Sequence, residues 1–299
     1  MIMKYGNIDN TERKFISTNI IYLNKYLEQL TMKGDVYIIQ TFYNGYKYRK
    51  YTMGTKNKYT RNFKKNNITN VEKISQKEFN EILSKTNKCI KKRRRTYIDN
   101  DYQVDVDDFD DPNKFTMIEV SNGNLDEYKI PKGFVEVTNI DKYQNKEIYN
   151  GSIKNTGIII EGTDAVGKSE TIKRLLLEGI ICKDRESRVI SANMLFDIPM
   201  EERAKKYEEF LINNNDLVIF LINNDKEELL RRVHQRNEIC EFDLKTCEYN
   251  QLYNKTYEYM KTNNMLHDKL YLVDCTGLNI SEQTDKVKRI VNKIKGIND

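Results

Sequence analysis

The octapeptide Gly162-Thr163-Asp164-Ala165-Val166-Gly167-Lys168-Ser169 constrains this chain more than any other stretch. It fits G-x4-G-K-[ST], and its flanks fit as well. The apolar GIII of residues 157–160 leads in, and residues 168–177 lead out with Ile172, Leu175 and Leu176 at helical spacing. A strand, a glycine-bordered turn and a helix in that order aim backbone N–H groups and a helix N-terminus at one point. The glycines allow the backbone to wrap. The pattern predicts a cradle in which residues 162–169 surround the phosphates of ATP. Lys168 would reach the β- and γ-phosphates, and the Ser169 hydroxyl would ligate the accompanying Mg2+.

Beyond the loop the chain keeps the same rhythm. Residues 216–222, DLVIFLI, are apolar throughout, as a buried parallel strand should be. Residues 227–235 read as a helix, 270–273 as a strand and 282–294 as a final helix. Strands alternating with helices predict an α/β domain with a parallel sheet. Before residue 150 the texture differs. Residues 36–42, 46–51, 88–97, 102–109, 115–120 and 134–138 alternate with a period of two and are rich in Tyr, Val and Ile. Only 18–30 and 76–84 have helical spacing. That half predicts a mostly antiparallel β domain. The polar stretch 149–156, YNGSIKNT, separates the halves, giving domains 1–150 and 151–299, each long enough to bury a core.

Composition sets limits on function. Charged residues make up 32% and no apolar run approaches twenty, which excludes a membrane span. The opening MIMKYGNIDNTERKF has no apolar core of a signal peptide and reads as mature protein. Five cysteines without a C-x-x-C pair predict reduced thiols and a cytoplasmic compartment. Two histidines argue against a His-based zinc site. A net charge of +5 suits anionic ligands. The bias toward Asn, Lys, Ile and Tyr fits an AT-rich genome, such as that of a phage or a low-GC bacterium. A phage or viral protein would act in a host cytoplasm.

Several motifs of the C-terminal half resemble the thymidylate kinases. They are the G-x-D-x-x-G-K-S form after Ile160-Glu161, the pair Asp184-Arg185, the segment LLRRVHQR at 229–236, residues 249–257 and YLVDCTG at 271–277. The resemblance implies transfer of a phosphoryl group from ATP to a nucleoside monophosphate. It implies that Asp164 contacts the acceptor's sugar hydroxyl, Arg185 its phosphate, and Asp184 a magnesium-bound water. Arg232 and Arg236 would close over the phosphoryl group, whose charge spreads over its equatorial oxygens. The interval between the loop's helix and Asp184 is shorter than in that family, which leaves the acceptor base open.

The N-terminal half carries a second series. It runs Glu12-Arg13-Lys14, YIIQ at 37–40, Lys47 with Arg49, IKKRRRTY at 90–97, YQVD at 102–105 with Phe109, Ile118-Glu119-Val120, IPKGFVEVT at 130–138 and YQN at 143–145. Alternation alone puts Lys47 and Arg49 on one face, and Lys92 and Arg94 on one face. In this order the segments resemble the CYTH superfamily, the triphosphate tunnel metalloenzymes. That resemblance implies an antiparallel barrel whose Lys14, Lys47, Arg49, Lys92 and Arg94 hold a triphosphate or polyphosphate. Glu12, Glu119 and Glu136 would hold Mg2+ or Mn2+. Asn10, Gln103 and Ser121 stand where acids are expected, which implies binding without efficient cleavage. The two resemblances leave three readings: a bifunctional kinase and triphosphatase, a kinase governed by a nucleotide- or polyphosphate-sensing tunnel, and a processor of nucleic-acid 5′ ends. The last ranks lowest, because no aromatic stacking motif accompanies the basic run at 88–95.

Overall fold

Alternating side chains with few breakers carry the first half of the chain into long strands. The computed structural model describes residues 3–4, 12–17, 19–65, 68–184, 198–213, 217–236, 239, 241–266 and 268–296. The chain divides into two compact units, 1–155 and 156–299. The first contains β1 (Met3–Lys4), β2 (Glu12–Ser17), α1 (Ile20–Leu27), β3 (Thr31–Tyr43), β4 (Tyr46–Met53), β5 (Lys56–Lys65), β6 (Ile68–Lys73), α2 (Gln76–Thr86), β7 (Ile90–Asp99), β8 (Tyr102–Asp111), β9 (Phe115–Ser121), β10 (Phe134–Glu136) and α3 (Asn145–Asn150). The strands form one ten-stranded sheet in the order β1-β6-β5-β4-β3-β7-β8-β9-β2-β10. Every neighbouring pair is antiparallel.

The two faces of this sheet differ. On one, Phe15, Val104, Val106, Ile118 and Val120 pack with Leu23 of α1 and with Tyr128. Further along the same face, Tyr48, Tyr59 and Ile74 pack with Phe79 of α2. Ser75 caps α2 by accepting from the Glu78 N–H. The opposite face is polar, yet Gln40, Lys92 and Asp107 on it are almost fully buried. A polar face shielded from water requires the sheet to curl around it.

The second unit contains β11 (Lys154–Gly162), α4 (Lys168–Leu177), β12 (Ile180–Asp184), α5 (Met200–Asn213), β13 (Leu217–Ile222), α6 (Lys226–His234), α7 (Glu241–Leu244), α8 (Thr246–Thr262), β14 (Leu270–Asp274) and α9 (Ile280–Lys295). Its four-stranded sheet has the order β12-β11-β13-β14, with β11–β13 and β13–β14 parallel. Ile159, Val218, Phe220 and Ile222 meet Tyr207 and Leu211 of α5 and Tyr249, Tyr253 and Met260 of α8. Burying each such side chain contributes about 1.5–3 kcal/mol. The Phe220 ring lies edge-on to Tyr207 at 5.4 Å and to Tyr253 at 4.9 Å.

Strands β1, β5, β6 and β12 and helices α3, α5, α7 and α8 go beyond the sequence expectations. In β5, KNKYTRNFKK, polar residues occupy both faces, so no apolar alternation marks it. Thr18 and Asp216, the first residues of two expected elements, lie outside the described residues. Among the described residues no helix is long and apolar enough to cross a membrane.

Candidate functional site

Register builds the polar face. Lys14 of β2 opposes Glu119 of β9, which opposes Asp105 of β8. Asp105 and Asp107 oppose Thr96 and Arg94 of β7. Ile38 of β3 opposes Lys92, and Gln40 opposes Arg49 of β4. Arg49 and Lys47 oppose Thr60 and Asn62 of β5. Residues opposed in an antiparallel pair share a face. One face therefore gathers Lys14, Lys47, Arg49, Lys92 and Arg94 from separate strands.

Most of this charge is already answered. Arg94 donates to Asp105 at 2.9 Å, to Asp107 at 2.6 Å and to Glu119. Lys92 donates to Asp107 and stands 4.8 Å over the Phe109 ring. Lys14 donates to Gln144 at 3.1 Å and lies 3.2 Å from Glu12 and 4.0 Å from Glu119. Burial would raise the Asp107 carboxyl, but Lys92 and Arg94 hold it at about 2. Glu119 is likewise lowered, with Arg94 and Lys92 overcoming burial.

The Lys47 end of the face is different. Arg49 donates to Gln40 Oε1 at 2.7 Å and to Tyr51 at 3.1 Å. Lys47 makes no ion pair among the described residues, and burial, with Arg49 and Lys92 nearby, pulls its amine down to about 7. Gln40 Nε2, Thr60 Oγ1 and Asn62 Oδ1 are buried with no hydrogen-bond partner. An orphaned buried polar group costs about 1–3 kcal/mol. Two potential donors and a desolvated amine thus stand ready for an anion's oxygens.

The expected metal ligands do not assemble. Glu136 lies on the apolar face, where Arg13 binds it bidentately at 2.7 and 2.9 Å. One residue of register decides this, because Val135 and not Glu136 points to the polar side. Glu12 and Glu119 are engaged by Lys14 and Arg94. Among the described residues no group of three or more Asp, Glu, His or Cys could hold a metal ion. The residues present do not fit a resident divalent cation on this face.

Sequence reading passed over Asp105 and Asp107 as ligands of the cations. The signal was there in VDVDDFD, where Val104 and Val106 alternate with them. Gln40 also showed, as the lone polar residue in YIIQ. Thr60 and Asn62 carry no local signal; only the β4–β5 register brings them to the site.

In the second unit β11 ends at Gly162 and α4 begins at Lys168, so residues 163–167 form the turn between them. Gly162 has φ +153°, and a Cβ there would meet the Leu221 carbonyl at 2.7 Å. Gly167 has φ +94° and lies against Gln283 of α9. These two positions require glycine. Thr246, fully buried at the start of α8, donates to the Asp164 carbonyl at 2.7 Å and pairs with the Thr163 hydroxyl at 2.7 Å. It fixes the turn, and no sequence motif pointed to it. Val166 is buried in the core, whereas Ser169 is exposed.

A pocket of about 370 Å³ is lined by Thr163, Asp164, Ala165, Gly167, Lys168, Ser169, Arg232 and Arg236. Arg232 donates to Glu228 at 2.7 Å and to the Ala165 carbonyl at 3.5 Å, and Arg236 donates to the buried Asp243. Arg231 and Arg232 hold the Glu228 carboxyl down at about 2. Lys168 lies 3.3 Å from Asp184. Arg185, expected to hold the acceptor phosphate, lies outside the described residues. Ser169, next to Lys168 in the chain, and Asp184, 3.3 Å from its amine, both carry hard oxygen donors of the kind that suit Mg2+.

The N-terminal region, about half the chain, resembles a structure of the inorganic triphosphatase NE1496. The identity is 21%, the match covers 48% of this chain and 97% of that one, and the TM-score is 0.34. The PH1819 protein from Pyrococcus horikoshii OT3 matches at 14% identity over 38% of this chain and 78% of its own, with a TM-score of 0.31. The PH1012 protein of the same organism matches at 17% identity over 42% and 82%, with a TM-score of 0.28. No family model and no curated protein matches the chain.

Proposed function

We propose that the chain is an ATP-dependent phosphotransferase resembling thymidylate kinase, with a triphosphate-binding N-terminal unit. Its domains correspond to the two compact units, with the boundary at 155/156 rather than at the expected 150/151. One observation carries the kinase reading: Lys168, Ser169, Arg232 and Arg236 line a single pocket around residues 163–167. The loop's backbone N–H groups and the start of α4 bind the phosphates of ATP. Lys168 leaves Asp184 to reach the β- and γ-phosphates. Arg232 and Arg236, poised by Glu228 and Asp243, stabilise charge that grows on the transferring phosphoryl group. Asp164 and Arg185 orient a nucleoside monophosphate whose phosphate oxygen attacks the γ-phosphorus of ATP as its bond to the bridging oxygen breaks and ADP leaves. Mg2+ brought with ATP would be held by Ser169 and Asp184 and would neutralise charge on the phosphate oxygens.

The first unit binds its triphosphate rather than cleaving it. What favours this is the engagement of Glu12, Asp105, Asp107 and Glu119 by Lys14, Lys92 and Arg94. The unit then serves as a nucleotide or polyphosphate sensor. Incubation with Mg2+, ATP and each nucleoside monophosphate, beside Lys168→Ala, tests both statements. Diphosphate formed from one acceptor and lost in the variant supports the kinase. Inorganic phosphate released without acceptor, and surviving the variant, would make the first unit a hydrolase instead.

A further inference from the structure

We infer that Gln283 of α9 is a positioning residue for the phosphates of ATP: its buried amide braces Gly167 and so sets the aim of the N–H groups that open α4. The inference rests on the ATP-binding reading of the pocket around residues 163–167. Gln283 stands behind that pocket, whereas Ile280, one turn earlier on α9, is part of its wall. Gly167 is the N-cap of α4, and no side chain caps the first N–H groups of the helix there. Those groups lack intrahelical partners and suit an anion. Their direction follows the Gly167 backbone, held at φ +94° and ψ 12°. Glycine is the residue freest to leave such a conformation. A contact from outside the turn has to hold it.

Gln283 supplies that contact. It is 1% exposed, and its Nε2 donates to the Thr171 hydroxyl at 2.8 Å, one turn into α4. Thr171 is fully buried, and its N–H donates back to the Gly167 carbonyl at 3.0 Å. From Thr171 the amide reaches to Gly167 itself. A Cβ on that glycine would lie 3.1 Å from Nε2 and 3.2 Å from Oε1. Gly167, Thr171 and Gln283 thus close a ring around the start of α4. The ring is built at a loss to stability. Among the described residues, Gln283 Oε1 is buried with no hydrogen-bond partner. Nearly all buried polar atoms in folded proteins have one, and an orphan destabilises the fold. Methionine has similar length and no such oxygen, so packing alone favours it here. A polar group retained against stability, behind the turn that binds phosphate, fits a site shaped for binding. Binding and stability should therefore respond to its removal with opposite signs.

The test uses the full chain. It combines calorimetry with Mg2+ and ATP, thermal melting of the second unit, and steady-state kinetics on whichever nucleoside monophosphate the parent phosphorylates. Gln283→Met should weaken ATP and raise its KM by about tenfold, because the freed turn must be ordered on binding. At saturating ATP its kcat should stay within about twofold of the parent, and the melting temperature should hold or rise. Thr171→Val removes the other end of the brace. It should weaken ATP by a similar factor, and the double variant should lose no more than either alone. Lys288→Ala cuts a different contact between the same helices, the 2.6 Å ion pair with Glu178, and should leave ATP affinity within about twofold. Undiminished ATP affinity in Gln283→Met, or a loss matched by a lower melting temperature, would overturn the inference and leave the ATP site standing. An equal loss in Lys288→Ala would overturn it too, since any loosening of α9 would then suffice. A parent that binds ATP no better than Lys168→Ala would overturn the ATP reading and the inference with it.

Discussion

The two units place positive charge by different means. In the first, cations on separate strands share one sheet face, and most are matched by carboxylates before any ligand arrives. In the second, a turn of backbone and the start of α4 point toward a pocket, with one lysine and two arginines at its edge. A buried side-chain charge must be paired or it costs several kcal/mol, so a site built from such charges carries its own counter-ions. A backbone cradle desolvates no full charge. It demands glycine where the chain turns sharply, as at Gly162 and Gly167.

The largest expected effect strikes the first device. Asp107→Ala would leave Lys92 and Arg94 buried without their shared partner, a loss of about 3–5 kcal/mol. A denaturant titration should show the first unit unfolding earlier while the second keeps its transition. Equal midpoints for variant and parent would mean that the ion pairs contribute nothing net. Lys168→Ala strikes the second device. Phosphoryl transfer should fall by a factor on the order of 10³ with stability unchanged, read from steady-state rates and thermal melts.

A smaller effect concerns Lys47, whose amine is pulled down to about 7 by burial, Arg49 and Lys92. Anion binding restores its proton. Between pH 7 and 8, tripolyphosphate affinity at the first unit should drop about fivefold more in the parent than in Lys47→Met. Without ligand the sign reverses. The unfolded chain keeps a proton that the folded chain has lost, so stability should rise above pH 7 and level off where the unfolded amine gives up its own, at about 10. The mildest test is Asn279→Ala. Asn279 and Glu282 form a capping box at the start of α9, which packs beside Gly167 through Gln283. The variant should lose about 1 kcal/mol in a melt, confined to the second unit.

The same contrast explains what the sequence disclosed. The loop is contiguous, so Gly162 to Ser169 could be read directly, and the apolar run of 217–222 marked β13. The cations of the first unit could be read in pairs, since Lys47 with Arg49 and Lys92 with Arg94 alternate within single strands. Their partners could not. Thr60 and Asn62 reach the site only through pairing with β4, and Glu136 misses it because β10 presents Val135 instead. Thr246 lies far along the chain from the turn it fixes. Long-range register and packing, not local pattern, decide those positions.

The central claim is that one chain carries two independent phosphate sites. Calorimetric titration of tripolyphosphate into the parent, Lys168→Ala and Arg49→Ala tests it most directly. The account predicts two sites in the parent and one in each variant, with the survivor's affinity unchanged. A single site in the parent, or two sites persisting in either variant, would contradict it.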